Sequence, residues 1–466
     1  MKIEEAGNAG KGTALFVAGM ASFLTPFVGS SVNVALPSIG KEFALSAISL
    51  DWIVTSYLLA AAIFLVPLGR LADIKGRKKI FIYGIIIDAA GSILAAISQS
   101  GIWLIFFRVL QGIGGAMIFG TGVAIVASVF PVRERGKALG IIAAAVYTGL
   151  SLGPPLGGLL TEYFSWRSIF VIDALLGMSI IIAVLWKLKG EWAEAKGEKF
   201  DAIGSVIYGL SLLAMMYGFS VLPNVWAIVL IVAGIAGLGA FIMWENRVKS
   251  PVLDMSLFKN SMTFSMSNLA ALINYSATFA VAFLMSLYLQ YIKGFDPEIT
   301  GFILLLQPVI MAVLSPIAGR LSDKIEPRWI ASIGMLLTTV GLVLLIFLGP
   351  DTQIVFILFS FFTLGVGFGL FSSPNTTAVM KSVEKEFYGV ASGTLATMRL
   401  IGQMLSLGIV MLLFAVYIGR VQITPEYYQP FLASTKAAFV IFAILCFGGI
   451  FASLSRGKTM DTVREN

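Results

Sequence analysis

Long apolar runs dominate this chain of 466 residues and limit what it can fold into. Each run is about 20 residues or longer, the length that a helix needs to cross the hydrocarbon core of a membrane. The predicted spans are 13–36, 47–69, 80–99, 101–130, 135–161, 166–186, 202–222, 224–244, 262–291, 298–319, 329–349, 353–380, 388–418 and 436–455. Because lipid offers no hydrogen bonds to the backbone, these fourteen runs predict an all-α integral membrane protein.

Composition supports a membrane protein and excludes several other functions. Hydrophobic residues make up 58% of the chain and charged residues only 12%, against about 25% charged in an average soluble domain. The net charge of +7 is spread over loops, which argues against a nucleic-acid-binding face. With no histidine and only Cys446, Cys/His metal sites, Cys/His nucleophiles and disulfides are excluded or nearly so. The chain carries neither a nucleophile–base set nor a Gly-Lys-Ser/Thr phosphate loop, so it predicts no enzyme, no ATP-driven pump and no cofactor.

Basic residues predict the orientation of the spans. With the N-terminus inside, 25 of the 32 Lys and Arg residues fall on the inner side, five fall outside and two lie within spans. The five outer residues are Lys41, Arg167, Lys293, Arg420 and Lys436. Since Lys and Arg concentrate on the cytoplasmic side, both termini are predicted to be cytoplasmic in a multi-pass plasma-membrane protein. The first run lacks a small-residue cleavage pattern, which favours a retained helix over a signal peptide.

A charged hairpin occurs twice in the chain. GRLADIKGRKK, at Gly69–Lys79, returns as GRLSDKIEPRW, at Gly319–Trp329, after 250 residues (319 − 69). Two equivalent six-helix halves would repeat after about 190–200 residues, so about two helices are extra. The runs 202–222 and 224–244 fit this insertion. The predicted organisation is a six-helix bundle over 1–190, a linker with two extra helices over 191–250, and a second six-helix bundle over 251–466.

Several motifs together resemble one transporter family. The hairpin at Gly69–Lys79 is similar to the major facilitator superfamily motif between helices 2 and 3, and LIFFRVLQGIGGAM, from Leu104, to its helix 4 motif. GLSLGPPLGG, at Gly149–Gly158, resembles the helix 5 pattern of exporters and antiporters. FDAIGSVIYGL, PVLDMSLFKN and ASGTLATMRLIGQ resemble later segments of the fourteen-helix drug:proton antiporter branch. The resemblance covers nearly the whole length and implies two six-helix bundles, two extra central helices and alternating-access export.

The first hairpin is predicted to control opening at the cytoplasmic face. Following Gly69, Asp73 can sit against the positive N-terminal end of a helix from the other half, and Arg77 and Lys78 can brace it. The second copy keeps the acid Asp323 but lacks the Gly-Arg pair, so its latch is expected to be weaker. The alternative is that these charges only set topology.

The GPPLGG segment predicts a helix that bends or slides. Two prolines remove backbone donors, and four glycines allow close packing. These residues are Gly149, Gly153, Pro154, Pro155, Gly157 and Gly158. We expect the helix to move against a partner from the other half, with plain packing as the alternative.

Four ionisable residues fall at membrane depth, where each is costly unless paired or hydrated. They are Asp88, Arg108, Asp173 and Arg399. One acid is predicted to neutralise Arg108 and the other to exchange a proton, since a low dielectric favours the neutral carboxyl. A structural ion pair is the alternative. Arg399 has no evident acidic partner, so it faces a cavity, bonds carbonyls or meets an anionic substrate group.

One departure from the family pattern affects coupling. Related antiporters carry an aspartate in helix 1, in a stretch like LDxTIVNVALP, whereas this chain reads FVGSSVNVALP with Val28 at that position. Either Asp88 or Asp173 has replaced that acid, or the protein is not driven by protons in the usual way.

The resemblance implies a substrate cavity lined by helices 1, 4, 9 and 12. Its predicted polar residues are Asn33, Gln111, Asn268, Asn274, Tyr275, Gln307, Asn375 and Gln403. Few fixed charges, with 35 Phe and 18 Met in the chain, favour amphipathic or hydrophobic solutes. We therefore predict an ion-coupled, or proton-coupled, exporter of such small molecules, working as a monomer among membrane lipids. The alternatives are a transporter of one dedicated metabolite and a non-transporting membrane sensor.

Overall fold

The computed structural model describes residues 2–188, 190–193, 195–248, 250–253, 255–322, 324–384 and 387–457, with side chains from residue 11 except at 132, 133, 135 and 136. Within these ranges the chain is helical and has no strand. The described residues contain fourteen helical segments that are long and apolar enough to cross a membrane. The predicted number of spans is therefore confirmed.

The first eight helices correspond to the first eight spans. They are α1 (Lys2–Glu42), α2 (Ala47–Lys75), α3 (Arg77–Ala96), α4 (Gly101–Val129), α5 (Val132–Tyr163), α6 (Arg167–Lys187), α7 (Ala202–Ser220) and α8 (Val225–Glu245). Polar N-caps begin several of them, because a side-chain oxygen there accepts from an otherwise unpaired backbone N–H. Ser46, Ser100, Asp201 and Asn224 each make such a bond.

The remaining helices build six further spans. They are α9 (Ser256–Asn260), α10 (Met262–Thr278), α11 (Ala280–Leu287), α12 (Pro297–Leu304), α13 (Leu306–Leu321), α14 (Pro327–Ile346), α15 (Ile354–Lys381), α16 (Tyr388–Tyr417) and α17 (Tyr428–Leu454). A π-helical turn over Tyr288–Ile292 completes the ninth span after α10 and α11, and α12 with α13 forms the tenth. A short 3₁₀ turn, Pro425–Tyr427, precedes α17.

The first charged hairpin is far tighter than predicted. The sequence placed a loop after residue 69, but α2 continues to Lys75 and α3 begins at Arg77. Gly76 alone separates the helices, with a φ of 118° that a residue with a Cβ rarely adopts. The charges of the hairpin therefore lie on helix ends, where their positions are fixed.

The last span also begins earlier than predicted. The segment 421–435, expected to be a polar connector, is largely helical because α17 starts at Tyr428. Phe431 is fully buried, and its ring lies 6.0 Å from that of Phe414 on α16. This packing extends the helix beyond the apolar run. Lys436 consequently lies within α17 and not in an outer loop, which corrects the predicted count of outer basic residues.

Two groups of six spans flank a central pair. Helices α1–α6 pack together as the first half, and α10–α17 pack together as the second half. Helices α7 and α8 form a pair whose α7 contacts both α2 and α16. The Tyr208 hydroxyl on α7 donates to the Ala62 carbonyl of α2 at 3.1 Å, and Met216 lies close to Gly408 of α16. The extra pair thus covers one seam between the halves.

The halves contact each other mainly on one side of the molecule. With an even number of spans, α1 begins and α17 ends on the same side, which we call the terminal side. Contacts between the halves lie towards the opposite side: Ser286 donates to the Asn33 carbonyl at 2.7 Å, and Gln290 donates to the Val34 carbonyl at 2.9 Å. The Ala47 amide donates to the Val421 carbonyl at 3.0 Å. Among the described residues, hydrogen bonds between the halves lie in the middle or on the opposite side, so this conformation is closed there.

Candidate functional site

A cluster of polar side chains lies inside the first half, where α2, α3, α4 and α6 meet. Asp88 of α3, Arg108 of α4 and Asp173 of α6 are all buried, with at most 5% of each residue exposed. The three ionisable residues that the sequence located in the first half are therefore neighbours in space. Their proximity was inferred only from depth along the helices, whereas the structure also places them on facing sides.

Arg108 is held by the backbone and by an amide. Its Nε donates to the Ile53 carbonyl at 3.1 Å, and its Nη1 donates to the Gln111 side-chain oxygen at 2.9 Å. The guanidinium lies 4.5 Å from the centre of the Tyr57 ring, a cation–π contact. In the described residues no carboxylate forms an ion pair with Arg108 within 4.0 Å, and Nη2 has no hydrogen-bond partner. A direct ion pair with one acid, as predicted, is not formed in this conformation.

Asp173 is the better-held of the two acids. One of its oxygens, Oδ2, accepts hydrogen bonds from the Ser92 hydroxyl and, at 3.3 Å, from the Gln111 amide. The Gln111 amide also donates to Ser92 at 2.6 Å, which closes a small network. The Asp88 carboxyl receives no hydrogen bond from any described residue. The two acids therefore differ: Asp173 is fixed by donors, and Asp88 is not.

Glycines bring the cluster together. A Cβ built on Gly114 of α4 would come within 2.6 Å of the Asp88 amide nitrogen, so α3 and α4 are in backbone contact at this level. A Cβ on Gly91 would come within 2.9 Å of the Gln111 side chain. Small residues at both points let the two helices approach as closely as they do.

The second half repeats this helix packing without the charges. Gly114 corresponds to Gly367, 253 residues later (367 − 114), and a Cβ there would lie 2.5 Å from the Thr338 amide nitrogen. Thr338 corresponds to Asp88, at an offset of 250 residues (338 − 88). Phe361 corresponds to Arg108, at the offset of 253 residues that also relates Gly367 to Gly114 (361 − 108). The charge cluster is thus a feature of the first half alone, added to a packing motif that both halves share.

The second half has its own cation, Arg399 of α16. Its Nη2 donates to the Thr376 hydroxyl of α15 at 2.7 Å, and its guanidinium lies 5.6 Å from the centre of the Tyr275 ring. Tyr275 in turn makes an edge contact with Phe368, with ring centres 5.3 Å apart. Arg399 is partly exposed, unlike Arg108.

One side chain connects this region to the first half. The Tyr147 hydroxyl of α5 lies 3.0 Å from the Ser315 hydroxyl and donates to the Ser372 hydroxyl at 3.3 Å. Ser372 precedes Thr376 by one turn of α15, so Tyr147 lies next to the surroundings of Arg399. The two halves therefore meet through polar groups in the middle of the molecule.

The residues predicted to line a cavity fall into two sets. Buried members are Asn33, Gln111, Asn268, Asn274 and Asn375, and partly exposed members are Tyr275, Gln307 and Gln403. Gln111 belongs to the charge cluster and not to a cavity wall, which differs from the prediction. The amides of Asn274 and Asn375 have no hydrogen-bond partner among the described residues, so their polar groups are available to water or to a solute.

The hairpin of α2 and α3 contacts its own half and the following linker. Asp73 accepts from Arg77 at 2.8 Å, and the Lys78 side chain donates to the Leu188 carbonyl at 2.5 Å. Ala195 of the linker donates its amide to the Asp73 carbonyl at 3.0 Å. None of these hydrogen bonds reaches the other half, as a latch would require. Asp323 of the second copy lies outside the described residues.

The GPPLGG segment divides its contacts between the two halves. Helix α5 runs unbroken through both prolines. Gly149, Gly153 and Gly157 face α1 of the same half. Gly158, by contrast, lies against the Pro297 carbonyl of α12, and the Pro154 carbonyl lies against Gly301 of the same helix. Only part of the segment therefore meets the other half, where backbones touch on the closed side.

Sequence reasoning missed the burial of several acids, among them Asp51. Asp51 is fully buried. Its Oδ1 accepts a hydrogen bond from the Thr55 hydroxyl at 2.5 Å, and its Oδ2 has no hydrogen-bond partner among the described residues. On the α2 helix Asp51 shares a face with Ala62, which packs with Met404 of α16. The signal was an acid one turn inside an apolar run. Asp51 lies near the predicted helix end, beside Trp52, and it was not among the four residues predicted at membrane depth.

Comparison with known proteins identifies the family. A family model described as Major Facilitator Superfamily matches residues 18–271 and 267–463. The chain belongs to the major facilitator superfamily. It is a membrane transporter and not an enzyme.

Relatives within the superfamily include drug-resistance proteins, which confirms the resemblance drawn from the motifs. The riboflavin transporter RibZ of Clostridioides difficile (strain 630) is 29% identical over 435 residues, covering 93% of this chain and 94% of RibZ. The multidrug resistance protein Stp of Mycobacterium tuberculosis is 30% identical, covering 83% of this chain and 73% of Stp. The multidrug transporter protein MdtP of Bacillus subtilis is 29% identical, covering 86% and 75%.

Solved structures confirm the fold. A bacterial homologue of the human lysosomal transporter Spinster superposes with a TM-score of 0.65 at 18% identity, covering 96% of this chain and 97% of that one. The peptide transporter POT superposes with a TM-score of 0.69 at 16% identity, covering 93% of each chain. At these identities the likeness concerns the fold alone.

Proposed function

We propose that this transporter exports hydrophobic or amphipathic small molecules by alternating access, coupled to protons or to another ion. Several relatives carry names that refer to drug resistance or drug transport, among them Stp, MdtP and the tetracenomycin C resistance and export protein of Streptomyces glaucescens. A pocket with few fixed charges and many Phe and Met residues suits such solutes. The protein works as a monomer, and its terminal side faces the cytoplasm, in agreement with the excess of basic residues there.

Movement takes place between two rigid units. Residues 1–190 and 251–466 rock against each other, while 191–250 carries the pair α7 and α8 across one seam. In the present conformation Ser286 and Gln290 join the halves towards the opposite side. Closing the terminal side would bring Asp73 to the other half, as the latch hypothesis requires.

The charge cluster carries the coupling proposal. Two carboxyls and one guanidinium share a buried site, so the cluster holds a net negative charge when both acids are ionised. One bound proton makes it neutral, which removes a large cost at membrane depth. Asp88 exchanges that proton, because no described donor holds its carboxylate. Asp173 stabilises the cluster through Ser92 and Gln111.

Flux through proteoliposomes tests this proposal. The neutral dye N-phenyl-1-naphthylamine is loaded, and its efflux is followed with and without an imposed pH gradient. We expect the gradient to accelerate efflux in the parent protein, and Asp88→Asn to remove the acceleration while leaving dye binding intact. Exposed Glu426, replaced by Gln, is the matched control and keeps the gradient effect. If both Asp88→Asn and Asp173→Asn responded normally to the gradient, the coupling role would be wrong.

A transporter of one dedicated metabolite is the second candidate. RibZ, whose name refers to riboflavin transport, matches 93% of this chain, and Val28 replaces the usual helix 1 acid. Competition distinguishes the two functions. A dedicated transporter would bind one solute tightly and ignore unrelated hydrophobic dyes, whereas an exporter of broad range would let chemically different dyes compete with each other.

A further inference from the structure

We propose that Arg399, Tyr275 and Thr376 form a subsite for the anionic group of an aromatic substrate, a carboxylate or a sulfonate. The inference rests on the proposed transport function and adds amphipathic aromatic anions to the neutral solutes that the protein is proposed to export. Its basis is a partly exposed cation at membrane depth that forms no ion pair with a carboxylate of the described residues.

Arg399 lies deep within the membrane-spanning part of α16. Arg399 is the twelfth residue of the 30-residue helix α16, so it lies about 17 Å from the terminal-side end of that helix. A cation at this depth is costly unless an anion or water compensates it. In the described residues, Arg399 forms no ion pair with a carboxylate, and its Nε has no hydrogen-bond partner. A counter-charge is therefore expected from a bound solute.

Arg399 and Arg108 differ in their exposure and in their hydrogen-bond partners, and both differences favour Arg399 as the ligand-binding arginine. Arg108 is 1% exposed and is held by the Ile53 carbonyl and by Gln111, with two acids nearby. Arg399 is partly exposed, and its one described hydrogen bond, from Nη2 to Thr376, leaves other guanidinium donors available. A planar guanidinium with free N–H groups is suited to bind a carboxylate through two hydrogen bonds.

The surroundings of Arg399 fit an aromatic body next to the charge. Tyr275 lies under the guanidinium and packs edge-on against Phe368, which gives an aromatic wall beside the cation. Tyr147 of the first half reaches Ser372, one turn from Thr376, so the subsite adjoins the seam between the halves. A solute bound here would contact both halves, as alternating access requires.

Two probes that differ only in charge test the subsite. Binding of 2-naphthoate and of its neutral analogue 2-naphthamide to the purified protein in nanodiscs is measured by calorimetry. We expect naphthoate to bind about tenfold or more tightly than naphthamide, the value of one or two charge-assisted hydrogen bonds. Arg399→Gln should abolish the difference by weakening naphthoate alone.

Conservative variants keep the test valid if Arg399→Gln folds poorly. Arg399→Lys keeps the charge but loses the planar fork, so it should retain a preference of a few-fold. Thr376→Val should leave naphthamide binding unchanged and alter naphthoate binding less than Arg399→Gln does. Arg420→Gln, at an exposed arginine on the opposite side, is the matched control and should keep the full preference.

The results separate this inference from the proposed function. Equal binding of both probes to the parent protein, or equal weakening of both by Arg399→Gln, would overturn the subsite even if the neutral dye is exported. Selective naphthoate binding that depends on Arg399, in a protein that exports no dye with or without a gradient, would support the subsite and overturn the export proposal.

Discussion

The guanidinium of Arg108 reaches the carboxylate of Asp173 through a single intermediary, Gln111. The amide oxygen of Gln111 accepts from Arg108 at 2.9 Å, and its nitrogen donates to Asp173 at 3.3 Å. A bridge of this kind keeps opposite charges close without a direct ion pair. A change in protonation of Asp173 can then alter the hydrogen bonding of Arg108 through the orientation of one amide.

Removing the bridge should destabilise the first half. Gln111→Leu leaves the Arg108 Nη1 and the Asp173 carboxylate without this partner in a buried site. We expect a loss of about 2–3 kcal/mol in the free energy of unfolding, since unsatisfied charged groups are costly. Thermal unfolding in detergent measures the effect. Gln429→Leu, at an exposed position of α17, is the control, and a similar loss there would contradict the explanation.

The shared glycine packing should be equally sensitive in both halves. Gly114→Ala and Gly367→Ala each place a Cβ against the backbone of the neighbouring helix, within 2.6 Å and 2.5 Å of an amide nitrogen. Overpacking of this kind costs about 1–3 kcal/mol, visible as a lower melting temperature for each variant. Gly448→Ala has open space around the new Cβ and should melt like the parent. Unchanged melting of Gly114→Ala would mean that α3 and α4 can separate freely.

The closed side depends in part on one hydrogen bond between the halves. Ser286→Ala removes the donor to the Asn33 carbonyl, a bond of 2.7 Å. A net contribution of about 0.5–1.5 kcal/mol predicts a two- to tenfold shift towards opening of this side. A cysteine at buried Val34 should then react correspondingly faster with a membrane-impermeant maleimide, while native Cys446 stays buried. Ser434→Ala, which loses only a local bond to the Phe431 carbonyl, should leave the rate unchanged.

Asp51 should make opening of the same side depend on pH. In the closed conformation its Oδ2 has no donor among the described residues, whereas opening would hydrate the carboxylate. Among the described residues, Arg108 is hydrogen-bonded to Gln111 and Arg420 to the Ser220 carbonyl, and neither forms an ion pair with Asp51. Raising the pH therefore favours the open form, and maleimide labelling at Val34→Cys should accelerate.

Asp51→Asn tests this dependence directly. The amide keeps an oxygen for the Thr55 hydroxyl but cannot ionise. Because both proteins carry the same reporter cysteine, the intrinsic pH dependence of thiol labelling cancels in their ratio. We expect the labelling rate with Asp51, divided by the rate with Asp51→Asn, to rise with pH. A ratio that stays constant would exclude Asp51 as the cause.

Much of the fold could be predicted from the apolar runs and charges along the sequence. Fourteen spans could be counted because each must supply enough apolar length to cross a membrane. Asp88, Arg108, Asp173 and Arg399 were visible as charges inside such runs. Helix ends were less accurate. The continuation of α2 to Lys75 and the early start of α17 depend on Gly76 and on packing of Phe431, which hydropathy does not report.

The sequence by itself determined the membrane class, the number of spans and the positions of Asp88, Arg108, Asp173 and Arg399 along their helices. Depth follows from position along a helix, but rotation about the helix axis does not. The tertiary structure alone decided that Gln111 joins Arg108 to Asp173, that no described residue donates to the Asp88 carboxyl, and that Asp51 is buried. These relationships depend on how closely glycine faces such as that of Gly114 allow helices to approach, which is set by packing in three dimensions.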